Sequence, residues 1–376
     1  MSSRKSGLLK WPGGKERELS ILKDYFPEEI NNYYEPFVGG GSVYLNIQAE
    51  RYYINDLYDE LYDFYALCLS NSTVFHDRLY DLNDLWMDVT TFFDQNIDLF
   101  NRFYVDRHED DKDVEVFSKN IATSFVENFL VPKHSYIMNV EVDYHKIIEK
   151  TFYKKVNRII KHESNKGELS EEDLDKNFKS ALKSAVYTYI RAVYNYFRLN
   201  PAHDEEGKAL HIACFYFIRN YCYSSMFRFN KKGEFNVPYG GLSYNENYLD
   251  KKIKYIYHPD NKQKYAFSSV SNLDFEEFLK AQDFEKDDFI FLDPPYDTDF
   301  SEYAQNVFDK SDQERLANTL LNIKGKWLLV IKYTEFIESL YDKPGVNIER
   351  FAKKYAVSFK NRNDQEAEHL VIRNYL

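Results

Sequence analysis

The sequence predicts an α/β fold in which a mainly helical segment interrupts a sheet-forming core. Short apolar runs alternate with helix-like segments at both ends of the chain. Glycines and prolines that favour turns follow several of these runs. Between them, the pattern is mostly helical. We therefore expect a discontinuous α/β core formed by residues 1–70 and 262–376, with residues 71–261 inserted between its two parts.

The composition limits the class of protein. The chain has 376 residues, 44% of them hydrophobic, which is enough for a substantial core. No apolar run approaches the roughly 18 residues that a membrane span needs. No apolar region follows the basic start Met1–Lys5, so we expect no signal peptide. Three cysteines without paired spacing predict reduced thiols in the cytoplasm, and nine scattered histidines predict no metal site.

Charge is distributed unevenly along the chain. The net charge of −12 argues, taken alone, against a nucleic-acid ligand. Residues 1–23 and 219–232 are nevertheless basic, while acidic residues concentrate elsewhere, for example at 109–115. Two basic patches on an acidic body predict a confined binding surface whose affinity depends on salt.

The first 70 residues predict a βαβ-like start. Strands are expected around Tyr33–Glu35 and Tyr52–Asn55, with a glycine turn and a helix between them. Ser42, which directly follows the glycines, is placed to cap that helix.

Helical spacing marks the inserted segment. It is carried by Leu79, Leu82, Leu85 and Trp86, and by Ala181, Ala185, Tyr189, Ala192 and Tyr196. Asn200-Pro201 predicts the end of the helix that contains 180–197. A break is expected at Asn165–Gly167, with Ser170 as N-cap of the next helix.

Strands and helices alternate again from about residue 262. Phe289–Leu292 and Trp327–Ile331 are apolar runs that predict buried strands. Tyr355–Lys360 and His369–Arg373 flank a polar turn and predict a terminal hairpin.

The tetrapeptide Asp293-Pro294-Pro295-Tyr296 is the most informative motif. It directly follows the strand Phe289–Leu292, and open α/β sheets bind ligands beyond the carboxyl ends of their strands. Asp293 and the Pro294 carbonyl can each accept an N–H of a planar amino group, and Tyr296 offers a face for stacking. In isolation, a strand end with a Pro-Pro stop and a core tyrosine explains the tetrapeptide equally well.

The glycine turn Glu35–Ser42 is a second motif that suits a ligand. Its three glycines allow close approach to the backbone, but the pattern lacks the GxGxxG of dinucleotide-binding folds. Asp56 lies 17 residues after Gly39, a spacing at which a carboxylate can bind both hydroxyls of a ribose. A nucleoside cofactor without pyrophosphate fits this combination, with S-adenosylmethionine as the first candidate. A tight turn followed by a helix-capping aspartate is the alternative.

Two further segments are unusual. Residues 10–15, KWPGGK, place a rigid turn and a tryptophan between two lysines. Residues 219–240 mix Arg, Asn and aromatic residues around a predicted hairpin turn at Lys231–Gly233. An arginine can pair with guanine in the major groove, for about 1–3 kcal/mol of discrimination. A generic hairpin rich in aromatic residues would have the same composition.

Together these motifs resemble the DNA adenine methylase (Dam) family, the D12 class of N6-adenine DNA methyltransferases. Their order along the chain also matches that family. The matching segments are KWPGGK at 10–15, EPFVGGGSV at 35–43, IND at 54–56, the stretch at 219–241 and DPPY at 293–296. The resemblance implies a Rossmann-like class I methyltransferase sheet of seven mainly parallel strands, a helical insert and a DNA-recognition β-hairpin.

The resemblance also implies residue roles. The catalytic residues would be Asp293, Pro294, Pro295 and Tyr296. The S-adenosylmethionine site would comprise Trp11, Lys15, Phe37, Gly39, Gly41, Asp56, Asp274, Phe275 and Asp293. The contacts to double-stranded DNA would come from Lys10, Tyr223, Ser224, Met226, Arg228, Asn230 and Pro238. Within that last set, Arg228 would read a guanine, while Tyr223 and Ser224 would fill the gap left by a flipped adenine.

The implied activity is methylation of adenine N6 in a short duplex motif, with a GATC-like motif favoured by the hairpin residues. The chain is longer than compact family members, and residues 75–200 have no counterpart that we can match from the motifs. These additional residues leave the target motif open. They would contact DNA, mediate dimerisation or bind another protein. A monomer or weak dimer is expected. Two biological contexts stay open. In one, a cognate restriction endonuclease accompanies the enzyme without physical association; in the other, the enzyme is solitary or phage-borne.

Other activities use similar residues. N4-cytosine methylation shares the chemistry of an exocyclic amine, but Asp rather than Ser at position 293 favours adenine. A protein-glutamine methyltransferase would be expected to carry Asn there. A non-catalytic DNA-binding regulator that retains the cofactor would not need the intact tetrapeptide. The missing dinucleotide fingerprint disfavours a dehydrogenase.

Overall fold

The computed structural model describes residues 5–106, 111–167, 169–295, 308–354 and 366–376. The chain divides into two compact units. The sheet unit consists of Met1–Ser70 and His258–Leu376, and the helical unit is Asn71–Tyr257. None of the helices within the described ranges is long and apolar enough to cross a membrane.

The sheet unit has seven strands over its described residues, in the order β3-β2-β1-β4-β5-β7-β6. They are β1 (Asn32–Glu35), β2 (Arg51–Asn55), β3 (Ser268–Ser271), β4 (Phe289–Leu292), β5 (Lys326–Lys332), β6 (Asn347–Lys354) and β7 (Glu366–Arg373). All neighbouring pairs are parallel except β5–β7 and β6–β7, which are antiparallel. The predicted fold, an α/β core with a mainly parallel seven-stranded sheet, is confirmed.

Both units contain α-helices. In chain order they are α1 (Leu19–Leu22), α2 (Asp59–Leu69), α3 (Thr73–Gln95), α4 (Ile97–Asp106), α5 (Asp111–Phe125), α6 (Val131–Lys133), α7 (Tyr144–Lys166), α8 (Glu171–Leu199), α9 (Glu205–Tyr221), α10 (Asp250–Ile256), α11 (Pro259–Tyr265), α12 (Phe275–Lys280), α13 (Lys310–Leu320) and α14 (Glu335–Tyr341). A π-helical segment, Val126–Leu130, joins α5 to α6.

The register of the central strands determines what meets at the carboxyl edge of the sheet. Glu35 of β1 lies opposite Ile54 of β2, and every residue of β4 is buried. Buried Asn55, the last residue of β2, bonds to the loops that follow two neighbouring strands. Its Nδ2 donates to the carbonyl oxygens of Pro36 (3.1 Å) and Leu273 (2.9 Å). The loops after β1, β2 and β3 are thereby held together at one edge.

One expectation for the sheet unit is wrong. Ser42 caps no helix: only a 3-10 turn, Tyr44–Asn46, follows the glycines, with Val43 as its N-cap. The Ser42 hydroxyl instead accepts a hydrogen bond from the Lys15 backbone N–H at 3.3 Å. At the end of the chain, β6 pairs antiparallel with β7, which contains the predicted segment His369–Arg373; the other predicted segment, Tyr355–Lys360, lies outside the described ranges.

The sequence also gave no indication of β3. Its residues, Ser-Ser-Val-Ser, lack the apolar alternation of a half-buried strand, and none of them is fully buried. Pairing with β2 alone makes β3 an edge strand, where polar residues are tolerated.

In the helical unit, α8 packs against α3, α7 and α9. The residues predicted by helical spacing in α3, Leu79, Leu82, Leu85 and Trp86, are all buried. The Ser170 hydroxyl accepts the Asp173 N–H at 3.2 Å, which confirms the predicted N-cap of α8. The same helix ends at Leu199, as the following Asn200-Pro201 predicts.

Candidate functional site

Asp56 lies just beyond β2 and connects two backbone segments. One carboxylate oxygen accepts the Gly39 N–H, and the other accepts the Tyr58 N–H, both at 3.0 Å. Burial raises the pKa of this carboxyl to about 6, although the two backbone donors oppose the rise. An ionised carboxylate can accept about four hydrogen bonds, so Asp56 keeps acceptor capacity for two hydroxyl groups.

The glycine turn is crowded by the protein itself. A Cβ on Gly39 (φ +48°) would lie 2.8 Å from the Trp11 ring, and one on Gly41 (φ +75°) would lie 2.5 Å from the Tyr65 hydroxyl. The Tyr65 hydroxyl also donates to the Gly39 carbonyl at 2.9 Å. These glycines are therefore required for packing against Trp11 and α2, as well as for their backbone conformation.

Lys15 connects the N-terminal loop to the end of β4. Its side chain is 1% exposed, and its ammonium forms an ion pair with Asp293 Oδ1. The ammonium also donates to the Gly13 carbonyl at 3.3 Å. Trp11, in the same loop, is half-buried with its ring 5.3 Å from that of Tyr58. The loop KWPGGK is thus part of the carboxyl edge of the sheet.

A side chain of α13 bonds to the second of the two prolines after Asp293. Pro294 is buried and Pro295 is exposed, and the Pro295 carbonyl accepts Gln313 Nε2 at 3.2 Å. Gln313 is fully buried, and the sequence carries no motif that identifies it. Tyr296, the last residue of the tetrapeptide, lies outside the described ranges.

Glu35 is a second buried carboxyl at this edge. Burial raises the pKa of Glu35 well above its usual range, and the Asp293 charge raises it further. The Tyr33 hydroxyl donates a hydrogen bond to the Glu35 carboxylate at 2.8 Å, which lowers the pKa but does not offset the effect of burial. Glu35 was not predicted as a site residue, although it opens the motif that contains the glycine turn. The carboxyl edge therefore combines an ion-paired aspartate with an acid whose neutral form is favoured.

Asp274 and Phe275 begin α12. The Asp274 carboxylate caps the helix by accepting the Glu276 N–H at 2.9 Å, and it accepts Arg315 Nη2 at 2.6 Å. Phe275 packs against Phe37, with ring centroids 5.7 Å apart. The Arg315 guanidinium lies over the Phe275 ring, 4.8 Å from its centroid. No sequence pattern identified Arg315 as a partner of Asp274, because Arg315 is distant in the chain from α12.

The predicted hairpin of the helical unit starts with a strained turn. Tyr223 is 48% exposed, and its N–H donates to the Pro238 carbonyl at 2.8 Å. Ser224 and Ser225 have φ values of +51° and +52°, in the left-handed region that costs non-glycine residues energy. This backbone geometry brings Tyr223 and Ser224 to the surface.

The Arg219 side chain stabilises this turn through hydrogen bonds to its backbone. This side chain is fully buried and donates to the Met226 carbonyl at 2.8 Å and the Ser225 carbonyl at 3.1 Å. The guanidinium also lies 4.9 Å from the Phe227 ring centroid. The buried charge is thus surrounded by backbone oxygens and an aromatic face.

The tip of the hairpin confirms the predicted turn at Lys231–Gly233. The Gly233 N–H donates to the Asn230 carbonyl at 3.0 Å, and Gly233 has φ +79°. The Asn230 side chain accepts the Lys232 and Glu234 N–H groups and donates to the Glu234 carboxylate. Asn230, predicted to contact DNA, therefore uses both ends of its amide within the turn.

Arg228 is fixed by a residue across the hairpin. Its Nε donates to Asn236 Oδ1 at 2.9 Å, and the Asn236 N–H donates to the Arg228 carbonyl at 3.2 Å. Arg228 and Met226 are half-buried, whereas Pro238 is exposed. Lys10, the remaining predicted DNA contact, is exposed in the loop of the sheet unit.

Comparison with known proteins identifies the family. The model of the D12 class N6 adenine-specific DNA methyltransferases matches residues 11–188 and 143–357. The chain belongs to this family. It is accordingly an adenine-specific DNA methyltransferase, which uses DNA as substrate and requires a methyl donor. The predicted family and enzyme class are confirmed.

Several relatives extend over nearly the whole chain. Type II methyltransferase M.CviBI of Paramecium bursaria Chlorella virus NC1A is 24% identical over 98% of this chain and 99% of its own length. Type II methyltransferase M.MjaIII of Methanocaldococcus jannaschii is 26% identical over 98% of both chains. DNA adenine methylase of Haemophilus influenzae is 21% identical over 93% of this chain and 87% of its own. The helical stretch at 75–200, which the motifs could not match, lies within these aligned lengths.

Proposed function

We propose that this enzyme transfers a methyl group from S-adenosylmethionine to N6 of an adenine that has been flipped out of a short duplex motif. The sheet unit would be the catalytic core, and the helical unit would carry target recognition through the hairpin at 219–241. The observation that carries the proposal is the carboxyl edge of the sheet. There, Asp56, the glycine turn and Asp293 follow three adjacent parallel strands, and Lys15 is ion-paired to Asp293.

The side chains at this edge fit a nucleoside cofactor. Asp56 would accept the two ribose hydroxyls, because it retains acceptor capacity and is partly shielded from water. Phe37 and Phe275 would offer aromatic surface to the adenine ring, with Asp274 beside them. S-adenosylmethionine, when bound, supplies a methyl group on a sulfonium that is already a good leaving group. Trp11 and Gly39 would shape the pocket, since they are in close contact, and Gly41 would do so beside the Tyr65 hydroxyl.

The tetrapeptide would orient the target amino group. Asp293 and the Pro294 carbonyl would accept its two hydrogens, which turns the nitrogen lone pair out of conjugation with the ring, and Tyr296 would stack on the base. N6 gains the methyl and releases one proton, for which Asp293 is the nearest acceptor in this arrangement. Lys15 would hold the Asp293 carboxylate in place, and a carboxylate can accept a further hydrogen bond beside such a pair. Most of the rate enhancement would come from positioning and electrostatics.

Recognition would use the hairpin. Flipping an adenine costs a few kcal/mol, and Tyr223 and Ser224 would occupy the gap in the stack because they lie at the exposed turn. Arg228 would donate to a guanine, with Met226 and Pro238 in apolar contact with bases. Lys10 would contact the outer base pair. A GATC-like motif is favoured by these residues.

Base-resolved modification mapping tests the proposal. Unmethylated plasmid DNA is incubated with the purified protein, with and without S-adenosylmethionine. N6-methyladenine at one short motif, dependent on the donor, is the expected result and also gives the motif. N4-methylcytosine would replace the proposal with the cytosine reaction. Absence of any modified base from a preparation that binds S-adenosylmethionine would favour a non-catalytic regulator.

A further inference from the structure

The hairpin of the helical unit has little strand pairing of its own. Within its described residues, only two isolated antiparallel bridges join its arms, Cys222 with Tyr239 and Phe229 with Phe235. A two-stranded hairpin is marginally stable in water even with a full ladder of hydrogen bonds. The conformation of this hairpin must therefore be maintained by other contacts.

Those contacts come from one face of α8. Four of its side chains bond to the backbone of the second arm, and their spacing of three or four residues places them on a single helix face. The bonds run from Tyr187 Oη to Val237 O (3.0 Å), Arg191 Nη1 to Val237 O (2.8 Å), Asn195 Nδ2 to Phe235 O (3.1 Å), Phe235 N to Asn195 Oδ1 (2.8 Å) and Arg198 Nε to Gly233 O (3.0 Å). We call these four residues the α8 ladder.

The α8 ladder bonds to the residues on both sides of Asn236. Phe235, on one side, exchanges two hydrogen bonds with Asn195, and Val237, on the other, is held by Tyr187 and Arg191. Phe235 and Val237 are both buried, so their backbone positions are also fixed by packing. Asn236 in turn bonds to both the backbone and the guanidinium of Arg228. A continuous series of short contacts thus runs from α8 to Arg228.

The Nε bond to Asn236 matters for the chemistry of reading a base. A guanidinium has five N–H donors in a fixed plane, and guanine recognition uses two of them toward O6 and N7. Fixing Nε on Asn236 sets the orientation of that plane and directs the terminal Nη groups. Because hydrogen bonds weaken steeply with angle, a tilt of this plane reduces discrimination before it abolishes binding.

We propose that the α8 ladder, with Asn195 at its centre, is a positioning and specificity-determining device for Arg228. It determines how sharply one guanine-containing base pair of the target motif is distinguished from other pairs. This rests on the proposed function of the hairpin as the DNA-reading element. The residues of the α8 ladder act through the Phe235–Val237 backbone and do not themselves contact the base.

The test uses the motif obtained by modification mapping. Duplex oligonucleotides carry that motif or versions with one base pair replaced, and kcat/KM is measured on each. The variants are Asn195→Ala, which removes both bonds to Phe235, and Tyr187→Phe, which removes one hydroxyl while keeping the buried ring. Arg228→Lys marks the base pair that Arg228 reads. Asn177→Ala is the matched control, because Asn177 is also on α8 but bonds only to the Asp173 carbonyl of its own helix.

We expect Asn195→Ala to reduce the ratio of kcat/KM between the intact motif and one altered duplex by about tenfold, within the range of one bidentate contact. The altered duplex should be the same one that Arg228→Lys accepts. Tyr187→Phe should give a smaller change at the same position, because Arg191 still donates to Val237. Asn177→Ala should leave every ratio unchanged.

A merely structural role would give a different pattern. Equal loss of kcat/KM on all duplexes, or relaxation at a different base pair from that of Arg228→Lys, would overturn the inference. If Asn195→Ala does not fold, as judged by thermal unfolding, Tyr187→Phe decides alone, and unchanged ratios in that variant refute the proposal. Failure of the proposed function would be visible earlier, as wild-type protein that methylates no defined motif.

Discussion

The carboxyl edge of the sheet and the hairpin at 219–241 position their proposed site residues by different means. At the sheet edge, Asp56 and Asp293 follow directly from paired parallel strands, so backbone register sets where they lie. In the hairpin, Arg228 lies between two isolated bridges, and side chains from α8 and α9 hold the backbone. The difference implies that the proposed catalytic geometry tolerates substitutions nearby, whereas the proposed geometry for reading a base depends on supporting residues in α8 and α9.

The substitution with the largest expected effect removes the Asp293 carboxylate at the carboxyl edge of the sheet. Asp293→Ala should lower kcat by about a thousandfold or more, because it removes the acceptor for the amino group. It also removes the buried ion pair of Lys15 with Asp293, so the free energy of unfolding should fall by about 3 kcal/mol. Steady-state methylation and urea unfolding measure the two effects.

DNA affinity of Asp293→Ala, measured at a temperature where the variant is folded, should stay within a fewfold of wild type. Asp293→Asn is the matched variant that keeps the shape of the side chain and removes its charge. Turnover by either variant close to the wild-type rate would refute the catalytic role of Asp293.

In the hairpin, the substitution that corresponds to Asp293→Ala is Arg219→Met, which removes the buried guanidinium. It leaves the Ser225 and Met226 carbonyls without the guanidinium, at about 1–3 kcal/mol for each buried group that finds no new partner. We expect KM for DNA and motif discrimination to worsen more than kcat on saturating DNA. Arg219→Lys, which keeps a cation, should show part of the effect. A fall in kcat alone would contradict the contrast between the two regions.

A pH series sharpens the comparison for Asp56. Its pKa is raised to about 6 by burial, and the ionised form is the one that accepts ribose hydroxyls. S-adenosylmethionine affinity should therefore be highest above pH 6 and weaken as the pH falls through that value.

Stability should change in the opposite direction. The pKa of Asp56 is higher in the folded chain than in the unfolded chain, so its contribution to stability is largest below the unfolded value, 3.8, and is lost as the pH rises through about 6. Asp56→Asn should remove both trends, as followed by calorimetry and thermal unfolding. A variant that keeps the wild-type pH dependence of affinity would show that another group controls it.

The smallest expected effect concerns Ser225, whose φ of +52° is strained. Ser225→Gly relieves the strain but adds freedom to the unfolded chain, so the free energy of unfolding should rise by less than about 1 kcal/mol. Ser225→Ala, which keeps the strain, should change it less. A clear loss of stability in Ser225→Gly would show that the serine side chain, and not the backbone, stabilises the turn.

Sequence patterns predicted the parts that depend on local chemistry. Apolar runs indicated β4 and β5, Ser170 indicated the start of α8, and Lys231–Gly233 indicated the hairpin tip. The polar edge strand β3 carried no such pattern.

Contacts between distant residues were not predictable in the same way. Lys15 and Asp293 are 278 residues apart, and neither motif specifies the other as its partner. The α8 ladder was missed because side-chain bonds to a backbone leave no constraint on the sequence of the arm that accepts them. Ser42 was misassigned because a 3-10 turn, and not a helix, follows the glycines, and its hydroxyl accepts the N–H of Lys15, which is distant in the chain.

The pairing of Lys15 with Asp293 has a consequence for synthesis of the chain. On the ribosome, β1 and β2 emerge first, but β4, the other neighbour of β1, follows only after the entire helical unit. Until residue 293 has emerged, Lys15 lacks the carboxylate it pairs with in the finished protein. The helical unit can therefore assemble before the sheet closes, and methylation competence should arise only in the last part of translation. Limited proteolysis of nascent chains stalled before β4 should cleave within the first 70 residues more readily than within the helical unit.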